Sequence, residues 1–213
     1  MIPVELPPKP DPNSGEPRPP AAPLAPGKRG PRPRWRRKMV PHPPANESPP
    51  LEWWYYNARG LLWGAAAVLA LAIGVLTLRD WSKGRDVLTW ANSWLVWLLI
   101  GGLALLMTLS ARGEKFSAGA DWFMHGEDFI KTYELVSIVG ERRWNGTHLE
   151  LTDQHGHHKE IDLRGLQLNP ALWDLVYNGI LHSVANGARV NDIAIEELQL
   201  HEIVEMRDRP PGP

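Results

Sequence analysis

Polar and apolar positions along this 213-residue chain fall into three successive patterns. From Gly60 to Leu78, and again from Val87 to Ala111, residues run without a charge. As helices rising 1.5 Å per residue these runs span about 28 and 37 Å, against a hydrocarbon core of about 30 Å. The octet Arg79-Asp80-Trp81-Ser82-Lys83-Gly84-Arg85-Asp86 between them is short and polar, so the pattern predicts an antiparallel membrane hairpin. After Gly113 alternation takes over. His148-Leu149-Glu150-Leu151-Thr152 and Glu160-Ile161-Asp162-Leu163-Arg164 each alternate, and Asp153 to His158 joins them, which predicts a β-hairpin with one apolar face. Phe129 to Val139 reads as a longer strand continuing to Arg143, with Asn145-Gly146 as the turn and Asp121 to Met124 as a short strand before it.

A helical period follows. Leu172, Trp173, Leu175, Val176, Tyr177, Ile180, Leu181 and Val184 recur at helical spacing, while Asp174, Asn178 and His182 form a polar stripe at i, i+4 and i+8. Asn169 is placed to cap this helix, Pro170 suits its first turn, and Asn186-Gly187 ends it. Beyond Arg189 two readings stay open: a last strand containing Leu198 and Leu200, or a short helix capped by Asn191. The expected fold class is therefore a membrane α-helical hairpin plus a small α+β domain. Its antiparallel sheet has four or five strands and is closed by one amphipathic helix.

Composition divides the chain further. Seventeen of its 21 prolines lie in the first fifty residues, where few large side chains could form a core, so a disordered Pro-rich tail is expected. The expected boundaries are residues 1–52 for the tail, 53–112 for the hairpin (helices 60–78 and 87–111), 113–208 for the domain and 209–213 for a frayed end. Ten basic and five acidic residues precede Gly60, whereas nine basic and seventeen acidic follow from Gly113. Within the tail, Pro17-Arg18-Pro19-Pro20 and Pro20-Ala21-Ala22-Pro23 match the PxxP pattern, and a spacer is preferred over a ligand in so proline-dense a stretch.

The tail also holds Lys28, Arg29, Arg32, Arg34, Trp35, Arg36, Arg37 and Lys38, seven cations and an indole without an acid among them. This cluster suits an anionic surface, lipid first and nucleic acid second, with a mere topology determinant as the alternative. With Arg59 it also sets the expected orientation, in which a multi-pass plasma-membrane protein keeps both termini cytoplasmic. Trp53-Trp54-Tyr55-Tyr56 and Trp81 fit the two interfaces, and Trp90, Trp94 and Trp97 would share one helix face.

Phe129-Ile130-Lys131-Thr132-Tyr133-Glu134-Leu135, Leu149-Glu150-Leu151-Thr152-Asp153 and the helix from Pro170 to Asn186, set behind the apolar pair, carry a resemblance. In layout the chain resembles bacterial two-helix membrane proteins with a cytoplasmic pleckstrin-homology-like domain. The resemblance runs from the first apolar helix to about Asn186. It departs in strand number, since a pleckstrin-homology barrel has seven strands. The acidic balance also argues against the phosphoinositide binding known in some members. It implies a binding or scaffolding module and carries over no ligand residue.

Chemistry-bearing groups are sparse. There is no cysteine, which excludes disulfides, thiolate metal sites and cysteine nucleophiles. His155, His157 and His158 beside Asp153 resemble a metal tract, but strand alternation separates His158 from the other two, so a solvated turn is expected. Glu196, Glu197, Glu202 and Glu205 read as a wet acidic surface. No phosphate-cradling loop, nucleophile elbow or dyad spacing is present, so no catalytic residue, metal or cofactor is expected. The expected function is that of an adaptor or scaffold engaging membrane lipid, an unidentified protein or a second copy. The alternative is an accessory subunit of a DNA-handling or conjugation-type membrane assembly, its tail holding nucleic acid.

Overall fold

The computed structural model describes residues 6–24, 40–55, 59–84, 86, 89–110 and 115–209. Contacts divide the chain into two units, one comprising residues 1–54 and 115–213, the other residues 55–114.

The larger unit holds two four-stranded sheets. The first orders β1 (Glu52–Tyr55), β2 (Lys115–Ala118), β3 (Trp122–His125) and β4 (Asp128–Lys131). The second orders β7 (His158–Asp162), β6 (Gly146–Asp153), β5 (Leu135–Arg143) and β8 (Arg189–Val190). β5, β6 and β7 are antiparallel, and β8 is parallel to β5 with Ser137 opposite Arg189. The expected single antiparallel sheet of four or five strands is thus two sheets, one of them mixed. The long strand read from Phe129 breaks at residues 132–134 into β4 and β5. There Gly179 approaches so closely that a Cβ would sit 2.5 Å from Thr132 Cβ, and Ser183 Oγ donates to Thr132 O at 2.9 Å.

A short α3 (Leu163–Leu166), started by the Asp162 carboxylate accepting from Arg164 N–H, replaces the expected end of the second alternating strand. Helix α4 (Pro170–Ala185) then packs on the sheets, burying Leu172, Trp173, Val176, Ile180 and Val184 against Phe123, Ile130, Ile138, Leu149, Leu151 and Ile161. Each such side chain removed from water stabilises the unit by roughly 1.5–3 kcal/mol. Asn169, expected to cap α4, makes no side-chain cap bond. Asn191 does cap α5 (Asp192–Leu198), accepting from Ala194 N–H while its amide exchanges two 2.8 Å bonds with Gly140. The helical reading after Arg189 therefore holds, and α6 (His201–Asp208) follows.

The smaller unit holds α1 (Arg59–Ser82) and α2 (Trp94–Ser110). Here the membrane expectation is overturned: among the described residues no helix is long and apolar enough to cross a membrane. The 17 residues of α2 span about 26 Å, below the roughly 30 Å hydrocarbon core. Its expected first turns are used differently, since Thr89–Asn92 is a 3-10 turn tied back to α1 through Trp90 N–H to Asp80 Oδ2 at 3.1 Å. α1 reaches Ser82 only by taking Arg79 and Asp80 into its last turns. The multi-pass plasma-membrane placement, with its cytoplasmic termini, and the integral-membrane description fall with the hairpin. The tryptophans follow suit. Trp54 is buried in β1 with its ring 5.3 Å from Phe116, and Trp90 belongs to the 3-10 turn and contacts Trp97 while Trp94 stays 72 % exposed.

Candidate functional site

Helix α4 carries the site. Its apolar positions face the sheets, as the helical period requires, yet its polar stripe is covered too. The cover is the proline-rich N-terminal segment. His182 Nε2 donates to Pro7 O at 2.7 Å, Asn178 Nδ2 to Pro8 O at 3.1 Å and Trp173 Nε1 to Pro23 O at 2.8 Å, while Asp174 Oδ1 accepts from Ala22 N–H at 2.8 Å. Residue 7 meets the end of α4 and residue 23 its beginning, so the segment runs antiparallel to the helix. Between these contacts the chain loops out, Asp11 Oδ1 accepting from Asn13 and Ser14 N–H. Arg18 then pairs at 2.9 Å with the fully buried Glu52 of β1.

Around Asn178 the groove is closed, and the amide nitrogen makes two bonds while Oδ1 is buried without a hydrogen-bond partner. Asn178 is 1 % exposed and also donates to Tyr133 Oη at 2.9 Å. Burial pushes the Tyr133 hydroxyl up to about 12, against a lowering by Asn178, so it stays a neutral phenol. The Tyr133 ring lies 5.1 Å from His182 and takes the Lys9 ammonium at 4.6 Å from its centroid, a cation–π contact. Tyr133, Asn178 and His182 thus hold three consecutive residues, Pro7-Pro8-Lys9. Leu6, Ala22 and Leu24 pack against the domain core at either end.

A second proline-rich stretch, residues 40–51, crosses the first sheet. Trp122 Nε1 donates to Ser48 O at 3.0 Å, Leu51 N–H to Ala118 O at 2.9 Å, and Lys131 Nζ bonds Glu47 and Asp121. Burial works to lower the Lys131 ammonium, but those two carboxylates outweigh it and hold it above its ordinary value. Residues 6–24 and 40–51 are therefore laid on the domain, where a free tether was expected. Proline-rich residues cannot build a core of their own, but here a core is supplied by residues 67 to 175 positions away.

The histidine turn is organised by Asp153. This buried carboxylate accepts from the N–H groups of Lys131, His155 and His157 at 2.9–3.1 Å and from His157 Nδ1 at 2.8 Å. Burial works to raise Asp153, but these donors, His157 foremost, outweigh it and leave it below its ordinary value. His155 Nε2 sits 2.8 Å from Glu134, and His158 Nε2 3.2 Å from Glu150. The three imidazoles go to three different carboxylates, and among the described residues no three acidic or imidazole groups could hold a metal ion. Glu196 and Glu197, read as a wet surface, both pair with Arg142 at 2.9 Å.

Lys28, Arg29, Arg32, Arg34, Trp35, Arg36, Arg37 and Lys38 lie outside the described residues. The groove residues Tyr133, Trp173, Asp174, Asn178 and His182 were not singled out as a site from sequence. The available signal was the polar stripe itself, on a helix whose every other face is apolar, in the same chain as PxxP segments. No protein-family model, curated protein or solved structure matches this chain.

Proposed function

We propose that this chain is a non-catalytic adaptor or scaffold whose larger unit presents a recognition surface to another protein. One observation carries the reading: Trp173, Asp174, Asn178 and His182 of α4 each hydrogen-bond the backbone of an extended proline-rich segment. Donors that meet carbonyls of a chain without regular structure are the chemistry of peptide recognition. Seven strands, β1 to β7, precede α4, and that count supports the resemblance to pleckstrin-homology-like modules, which implies the same class of role. Beyond the four strands that the alternation predicts, β1 and β2 are added and the long strand from Phe129 divides into β4 and β5.

The test is photo-crosslinking from the full chain in the cells that make it. Photoreactive side chains replace Trp144, which is 98 % exposed at the tip of the β5–β6 hairpin, and Leu168, which is half exposed. The expected result is a discrete protein joined at one position or both. No protein adduct above the level of an irradiated control would overturn the reading.

A further inference from the structure

We infer that the α4 groove takes a proline-rich segment of a partner protein in trans, and that residues 6–24 are its resident competitor. This deepens the adaptor reading and rests on it. The chemistry of the occupant is set by what the groove offers. Asn178 and His182, one turn apart, supply N–H donors to the carbonyls of two successive prolines. Proline suits such a position because its own nitrogen has no hydrogen, so nothing polar is left unpaired when that side of the chain is covered. An extended polyproline II chain also loses little conformational freedom on docking. The Tyr133 ring adds a place for a cation one residue later, so the ligand subsite reads Pro-Pro-Lys or Pro-Pro-Arg. Farther along, Trp173 takes another proline carbonyl, and Asp174 requires a residue that keeps its N–H, which Ala22 supplies.

Nothing in these contacts depends on the ligand belonging to the same chain. They are four side-chain to backbone hydrogen bonds, one cation–π contact, the Arg18–Glu52 ion pair and the packing of Leu6, Ala22 and Leu24. A tethered segment has an effective concentration on the order of millimolar, so it masks the groove from weak ligands and yields to stronger ones.

The experiment measures binding of a fluorescent synthetic peptide of residues 6–24 to the full chain by anisotropy. Three chains are compared: the parent, a loosened form (Pro7→Gly, Pro8→Gly, Ala22→Pro) and the loosened form with Asn178→Leu and His182→Leu. We expect the loosened chain to bind the peptide at least tenfold tighter than the parent, and the leucine variants to lose at least tenfold of that. Asn178 retained with His182→Gln, which keeps a donor, should restore most of it. A peptide with every proline replaced by alanine should bind at least tenfold more weakly. Near-UV circular dichroism of each chain checks that the fold is kept. Equal binding by the loosened and parent chains, or by the leucine variants, overturns the inference. So does loss of the fold on loosening, which would make the segment a fixed part of the core. Peptide failure with protein crosslinks still formed at Trp144 or Leu168 would remove this inference alone and leave the adaptor reading standing.

Discussion

Helices α4 and α1 invert what their sequences suggest. α4 carries Asp174, Asn178 and His182 yet is enclosed on nearly every side, with Asn178 1 % exposed. α1 is almost wholly apolar along its middle, yet Leu71 is 70 % exposed, and in the same unit Leu99 of α2 is 63 % exposed. Burial is a property of what surrounds a helix. α4 has two sheets on one side and a proline-rich segment on the other; α1 and α2 have, among the described residues of their unit, each other and a 3-10 turn. Apolarity makes burial favourable by about 25 cal/mol per Å2, but a surface must be supplied to realise it.

The comparison is most easily broken at the α4 core. Val176→Asp or Trp173→Ala should destabilise the larger unit by about 3–5 kcal/mol, through an unpaired buried charge or a cavity. Chemical denaturation followed by circular dichroism measures it, and a loss below about 1 kcal/mol would mean that α4 is not the closing element. Gly179→Ala is expected to cost roughly 1–3 kcal/mol by overpacking, because its methyl group would meet Thr132. Asn178→Ala should cost about 1–3 kcal/mol by leaving Pro8 O and Tyr133 Oη without their donor, a clear departure from a solvated stripe.

Acid sharpens the comparison in a different way. Asp153 has a folded-state pKa below its ordinary 3.8, so its contribution is fully present above that value and is lost as pH falls through the folded one. Asp153→Asn should flatten the acid limb of the stability curve below about pH 4, and an unchanged limb would show that Asp153 does not organise the turn. At the small end, Leu71→Ala and Leu99→Ala, both on exposed faces, should move the stability of either unit by no more than about 0.5 kcal/mol. A larger loss in the isolated chain would show that those faces are covered.

Much of the larger unit was legible along the chain. Leu149 and Leu151 alternate with Glu150 and do face the core in β6, and the period from Leu172 to Val184 does mark the buried side of α4. The groove was half legible: Asp174, Asn178 and His182 stand out in the sequence as the polar side of an amphipathic helix, but nothing there shows what covers it. Its occupant lies 150 to 175 positions upstream, and no periodicity links Pro7 to His182. The break between β4 and β5 was hidden for a similar reason, because Ser183 and Gly179 of a distant helix hold the turn at Thr132.

By itself, then, the sequence determined which residues alternate, which repeat every helical turn and which segments carry prolines or charge, because these follow from the geometry of neighbouring residues on one backbone. Tertiary structure alone decided that β1 joins its sheet from ahead of the helical pair, that Asn191 spans β5 and α5, and that α4's polar face is covered by the chain's own beginning. Those outcomes depend on which surfaces meet across long stretches of chain. The energy of such meetings comes from packing and paired backbone groups that no local pattern records.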